Sequence, residues 1–264
     1  MHVAQLTDLS RTFDDRGVVR VPGAFSRSQA SAMADAIWRH VDRNTPCRRH
    51  DPATWDARPV SFKRLKQHAA FDHLITNPSV AGALDVIFGP RGWTPAKAGP
   101  QILMTFPNVP AWHLPHRLWH TDASFAPRTF PTFGVKLFAC VEPVRPGGGG
   151  TLTIAGSHRL VERYRPTLPR DARAAMSSLW GGFMRQDPWL RELAREARGG
   201  DTSMMREVHD ADGIPLEIVE LTGEPGDVWI THLHTFHCVA PNALDTPRMM
   251  IAQAVSRNEP TPAS

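Results

Sequence analysis

Apolar residues recur at helical spacing along the first ninety positions of the chain and mostly at strand spacing afterwards. The run Val18-Val19-Arg20-Val21, closed by Pro22-Gly23, reads as a short β-branched strand and a turn. Ser26 or Ser28 then caps a helix in which Ala30, Met33, Ala34, Ile37, Trp38 and Val41 share one face. Residues 44–62 carry Pro46, Pro52 and Pro59 among Arg and Asp, and read as an irregular connection. Helical pattern returns over 67–76. It recurs after Asn77-Pro78, with Ser79 as a further cap, where Val80, Ala83, Leu84, Ile87 and Phe88 make a short helix stopped by Gly89-Pro90.

From Trp93 the pattern changes to strands. Residues 101–106 form one, and a Pro-rich loop at 107–117 leads into Trp119-His120-Thr121-Asp122. Residues 132–141 form a long β run, 142–150 a turn rich in Pro and Gly, and 151–154 a strand ending at Gly156-Ser157-His158. Helical pattern reappears over 169–200, with candidates at 172–180 and 189–197, as an insertion between strands. Strands resume at 216–221, 228–230 and 249–255, and the tail from Asn258 is expected to fray. There is no internal repeat. Many short strands after a helical opening predict a mainly β protein, a sandwich or closed barrel with flanking helices. One domain over 1–264 is expected, with a helical insertion or lid at about 160–215.

Composition narrows the function classes. A formal net charge of +4 comes from scattered arginines, with Lys only at 63, 66, 97 and 136, so no dense basic patch suggests nucleic acid. Anionic small molecules fit this balance. Cys47, Cys140 and Cys238 lie far apart and form no CxxC, which argues against a disulfide framework or a zinc–thiolate site. The opening lacks a signal-peptide pattern and no stretch approaches the length of a membrane span, so a cytoplasmic protein is the expectation. A monomer or small homo-oligomer is expected.

The chemistry-bearing stretch is His120-Thr121-Asp122. In extended backbone, residues two apart point the same way, so an imidazole and a carboxylate converge. A third ligand from a distant strand would complete the 2-His-1-carboxylate set that suits non-heme Fe(II) and leaves positions open for substrate and O2. Such a pair alone is a weak signal. It is strengthened by Gly226-Asp227-Val228-Trp229-Ile230-Thr231-His232-Leu233-His234-Thr235-Phe236-His237, followed by Pro241-Asn242 and Arg248. There His232, His234 and His237 compete for the third place, and alternation puts His232 and His234 on one face.

Taken together, the Gly-Val-Val-Arg-Val-Pro-Gly opening, the His-x-Asp, the Gly-Thr-Leu-Thr-Ile-Ala-Gly-Ser-His-Arg segment and the stretch from Gly226 to Arg248 resemble the phytanoyl-CoA dioxygenase family of Fe(II)/2-oxoglutarate oxygenases. The resemblance implies a double-stranded β-helix (jelly-roll, cupin-like) core and metal ligands His120, Asp122 and His237, with His234 as second choice for the distal ligand. In the family the distal histidine directly precedes a short turn to Pro-Asn, as in His237-Cys238-Val239-Ala240-Pro241-Asn242 here. Arg248 matches the anchor for the far carboxylate of 2-oxoglutarate, a role suited to a bidentate guanidinium. A serine often found two residues after the distal histidine is Val239 here, so Thr151 or Gln101 is expected to compensate, and Phe138 falls where relatives border the cosubstrate. Gly156-Ser157-His158-Arg159 and Asn242 are read as architectural.

Related halogenases lack the carboxylate, so Asp122 implies hydroxylation of a C–H bond on a small organic substrate, with O2 consumed and succinate and CO2 released. A specialised metabolite is the expected substrate. The competing functions are a metal-dependent hydrolase or isomerase, which would not need Arg248, and a non-enzymatic binding protein, which would not need all three ligands. Pocket candidates are Trp112, His113, His116, Arg117, Phe125, Phe130, Trp180, Phe183 and Trp189, drawn from the 107–117 loop, the segment after Asp122 and the insertion.

Overall fold

The computed structural model describes residues 3–55, 60–66, 68–126, 134–168, 175–195 and 201–258. Helices α1 (Val3–Arg16), α2 (Arg27–Asn44), α3 (His73–Thr76) and α4 (Pro78–Phe88) flank strand β1 (Val18–Val21) and precede β2 (Trp93–Pro95) and β3 (Gln101–Thr105). Next come β4 (Gly134–Cys140), β5 (Thr151–Ala155), α5 (Ser157–Tyr164), α6 (Met176–Met184) and α7 (Pro188–Leu193). The chain closes with β6 (Val208–Asp210), β7 (Pro215–Leu221), β8 (Val228–His232), β9 (His237–Val239) and β10 (Arg248–Arg257).

Local chemistry starts the helices. The Ser26 hydroxyl accepts from Gln29 N while Gln29 Oε1 accepts from Ser26 N, a capping box that satisfies two end donors of α2. Asn77, rather than Ser79, caps α4 by accepting from Ser79 N.

Two antiparallel sheets form the core. The larger runs β1-β8-β4-β10, with β2 and β3 both on the free edge of β10, and the smaller runs β6-β7-β5-β9. Alternation along the strands sorts the side chains into three layers. Leu137, Ala139, Ile230 and Ile251 pack outward against Ile37 of α2 and Leu84 of α4. Leu152, Ile154, Leu216 and Ile218 pack outward against Leu179, Phe183 and Leu190 of the insertion. Phe138, Cys140, Met250 and Ala252 meet Ala155 and Leu221 between the sheets. This is the expected jelly-roll: two facing sheets whose inner layer is thin and whose outer layers are roofed by helices.

Several elements depart from the sequence pattern. Helix α1 was not expected: Phe13 is its one fully buried apolar residue among those whose side chains are described, so its periodicity is faint. Its junction is fixed from outside. Gly17 lies at φ +64, and a Cβ there would meet His158 Nδ1 at 2.4 Å and Thr235 Oγ1 at 2.6 Å. Gly17 O in turn accepts from His232 N at 2.8 Å. Helix α5 is not among the helices the pattern predicts, which ends a strand at Gly156-Ser157-His158; Gly156 (φ +85) does turn the chain, immediately before the helix starts. The 67–76 region resolves into a 3-10 turn at Ala69–Phe71 and the short α3. The expected 172–180 helix is α6, displaced toward the C-terminus, with 172–174 outside the described residues. The 189–197 helix is the shorter α7, its last two positions also outside them. Strands β2, β6 and β9 have three residues each, too few for periodicity to mark them.

Candidate metal centre

His120 and His237 are brought together by backbone pairing. His120 N donates to His237 O at 3.0 Å and His237 N to His120 O at 2.9 Å, an isolated antiparallel bridge beside β9, whose other edge pairs with β5. Residues directly opposite in such a pair carry side chains on one face, and the two imidazole centroids lie 4.3 Å apart. Asp122 N donates to Leu233 O at 3.1 Å, which anchors the carboxylate to the same turn. One ligand atom from each of His120, Asp122 and His237 falls within 4.8 Å of the others.

The surroundings orient these atoms. His120 Nδ1 bonds to Leu118 O at 2.7 Å and His237 Nδ1 to Thr235 O at 3.0 Å. A carbonyl only accepts, so each Nδ1 carries a proton and each Nε2 is turned toward the shared space. Leu118 holds φ +68, a region non-glycine residues rarely occupy, and it is largely exposed. Strain at a residue whose carbonyl aims a ligand is consistent with a functional constraint. Burial pushes the His237 pKa down to about 4, and neighbouring His120 also opposes a second positive charge, although Asp122 pulls the other way. The imidazole is therefore neutral near pH 7 and available as a donor. Asp122 Oδ1 accepts from Lys136 Nζ at 2.7 Å, while Oδ2 sits 3.4 Å from His237 Nε2. Two imidazole nitrogens and one carboxylate oxygen fit a divalent metal such as Fe(II).

Arg248 opens β10 on the inner face and is 5 % exposed. Its Nη2 donates to Thr105 Oγ1 at 2.7 Å and its Nη1 approaches Met250 Sδ at 3.8 Å, while its Nε has no partner among the described residues. No carboxylate pairs with it among the described residues. Burial lowers its pKa to about 10, so it stays cationic at neutral pH. A buried guanidinium with unused donors fits the far carboxylate of 2-oxoglutarate. Asn242 supports this end by donating to Thr105 O and Thr246 O, which ties β3 to the loop before Arg248.

Phe138 is buried in the inner layer, its ring centroid 6.0 Å from that of His237. Thr151 is buried on β5 directly opposite Val239, and Val239 stands where the family often has serine. Gln101 lies exposed at the start of β3, opposite Ala252, whereas Thr105 at the other end of β3 touches Arg248. His232 and His234 are buried away from the triad: His232 packs on His158 at 5.1 Å and on Phe13 at 6.2 Å. Ser157 Oγ accepts from Phe236 N and His158 Nε2 bonds Asp14 O, both architectural contacts.

Among the pocket candidates, Trp180 approaches the triad. Its Nε1 donates to Thr121 Oγ1 at 3.1 Å and its ring centroid lies 5.6 Å from His120. Phe125, Phe183 and Trp189 are packing residues instead, because the insertion needs its own core against β5 and β7. Phe130 lies outside the described residues. Sequence reasoning missed Lys136 and Thr105. Lys136 left a signal, a lone lysine in an apolar strand with the same parity as Phe138.

The model of phytanoyl-CoA dioxygenase (PhyH) matches residues 13–250. The chain belongs to the phytanoyl-CoA dioxygenase family. No curated protein matches it by sequence. Among solved structures, the epimerase SnoN in complex with Fe3+, alpha-ketoglutarate and nogalamycin RO is 17% identical, with a TM-score of 0.63 over 97% of this chain and 85% of that one. The alpha-ketoglutarate-dependent carbocyclase SnoK from nogalamycin biosynthesis is 15% identical, with a TM-score of 0.61 over 95% and 83%. The apo non-heme monooxygenase ThoJ is 17% identical, with a TM-score of 0.56 over 95% and 77%. At these identities the likeness establishes the fold, which is the expected one. Among the described residues no helix is long and apolar enough to cross a membrane.

Proposed function

We propose that this family member is an Fe(II)/2-oxoglutarate-dependent oxygenase that hydroxylates a C–H bond of a small organic molecule, releasing succinate and CO2. One observation carries the reading: the convergence of one ligand atom each from His120, Asp122 and His237 in a barrel that also buries the Arg248 guanidinium with no carboxylate partner among the described residues. When bound, Fe(II) supplies O2 activation coupled to oxidative decarboxylation of 2-oxoglutarate, and the C–H oxidation that follows. The protein's part is placement. His120, Asp122 and His237 would hold the metal and leave positions for cosubstrate and O2. Arg248 holds the far carboxylate, Thr105 keeps the guanidinium aimed, and Phe138 walls the cosubstrate. Thr151 supplies the hydroxyl that Val239 cannot, and Gln101, on the rim near Lys136, serves the metal end rather than the Arg248 end. Trp180 and the insertion around it shield the reacting face from water.

SnoN and SnoK are named as an epimerase and a carbocyclase, so the fate of the activated C–H position is the finer question. Product mass separates the outcomes: gain of one oxygen for hydroxylation, no change for epimerisation, loss of two hydrogens for ring closure. The class itself is tested anaerobically. Fe(II) followed by 2-oxoglutarate produces the weak visible charge-transfer band of the chelate in wild type, and His237→Ala loses it. A metal-binding wild type with no band refutes the oxygenase reading and favours a hydrolase.

A further inference from the structure

The chain uses arginine almost everywhere it needs a cation, and its four lysines are the exception. Lys63, Lys66 and Lys136 line one cavity of about 390 Å³, and Lys97 lies between two of its lining residues, Ala96 and Ala98. Its apolar wall includes Val60, Phe62 and Ile102, and none of the described residues lining it is acidic. Among the described residues neither Lys63 nor Lys66 has a carboxylate partner. The cavity is not remote from the triad. It includes Ala252, opposite Phe138 in the sheet, and Lys136, whose ammonium is bonded to Asp122. Lys63 and Lys66, two like charges at one cavity with no carboxylate partner among the described residues, favour an anionic visitor. Ammonium groups on flexible stems suit such a group as movable point charges, whereas the fixed carboxylate end is left to Arg248.

We propose that this cavity is the substrate subsite, and that the substrate carries an oxyanionic substituent, phosphate or carboxylate, seated against Lys63 and Lys66. Its apolar portion lies along Val60, Phe62 and Ile102, and its reacting carbon points past Lys136 toward the triad. The subsite role rests on the oxygenase reading above; anion binding by the cavity does not. Lys63 is exposed and Lys66 half-buried, so replacing both spares the core.

The test is calorimetric titration of the metal-free full chain with inorganic pyrophosphate and, separately, with benzoate. Wild type binds at least one of them, and Lys63→Ala/Lys66→Ala binds it about tenfold more weakly or worse. The difference shrinks in high salt as the charges are screened. Pyrophosphate alone identifies a phosphate-bearing substrate, and benzoate alone a carboxylate-bearing one. No binding of either probe, or equal binding by the double variant with an unchanged melting temperature, overturns the proposal. The charge-transfer band of wild type is scored separately, so loss of the oxygenase reading and loss of the anion site are distinguishable.

Discussion

Replacing Arg248 with Met should make the metal-free protein more stable while removing its response to 2-oxoglutarate. Burial lowers the Arg248 pKa to about 10, well below the ordinary arginine value. At roughly 1.4 kcal/mol per unit, the fold carries a cost of about 3 kcal/mol for holding the cation. The sign is fixed by linkage. The folded state binds this proton less tightly than the unfolded chain, so the full cost applies below pH 10 and is relieved only above it. Between pH 6 and 9 the effect is therefore flat. Against it stands the one good hydrogen bond the guanidinium makes, to Thr105 Oγ1 at 2.7 Å, worth about 1.5–3 kcal/mol for a charged donor. Met keeps most of the apolar stem and leaves a net gain of about 1 kcal/mol. For a chain of this size that raises the melting temperature by about 2–4 °C. Wild type loaded with Zn(II) should gain a further ~2.7 kcal/mol at a hundredfold excess of 2-oxoglutarate over its Kd, and the variant should gain nothing. Thermal unfolding of both proteins, with and without 2-oxoglutarate, reads all four states. A variant that unfolds several degrees below wild type and still responds to 2-oxoglutarate would show that Arg248 is a structural cation and that the reasoning fails.

Asp122→Ala should abolish metal binding and also strand Lys136, whose side chain is 15% exposed, costing about 1–3 kcal/mol of stability. Adding Lys136→Met should restore the stability but not the metal, and a double-mutant cycle by calorimetry and denaturant titration checks both. Phe183 is fully buried and stacked on Phe236 at 4.3 Å, so Phe183→Ala should cost about 3–5 kcal/mol by urea denaturation. Acid should weaken the fold through its buried histidines. Burial lowers His158 to about 4 and takes His232 well below its ordinary value. The unfolded chain then binds more protons, so stability is complete above pH 6.5 and falls as the pH drops toward 4. His158 alone should remove about 2 kcal/mol between pH 7.5 and 5, and denaturant midpoints in His158→Gln should show a shallower loss.

The parts of the fold legible in the sequence were those where alternation or helical spacing runs long enough to bury a face. Residues 30–41 of α2 and 249–255 of β10 are such stretches. Helix α1 escaped because glycine geometry at position 17 and contacts from β8 hold it in place, with little apolar patterning of its own. At the site, His120 and Asp122 could be paired from spacing, since both sit in one short extended segment. His237 could not be separated from His232 and His234 by alternation alone, because strand β8 ends at His232 and a turn intervenes. The family resemblance supplied the choice. The backbone bridge between His120 and His237, invisible in a linear pattern, is the geometry that brings those two together.

The same limit explains Lys136 and the cavity it lines. Parity along β4 places Lys136, Phe138 and Cys140 on one face, but only the pairing of β4 with β10 reveals that this face is the interior. A lysine on an interior strand face must meet either a carboxylate or a channel to water. Lys136 has both, Asp122 on one side and the cavity on the other. That dual contact is the structural reason to connect the candidate metal site with the neighbouring lysines. A substrate anion drawn to Lys63 and Lys66 would approach along the wall that ends at the ligand carboxylate's own partner. Binding of the anion and placement of the reacting carbon then become one geometric event, so weakening the first should misplace the second.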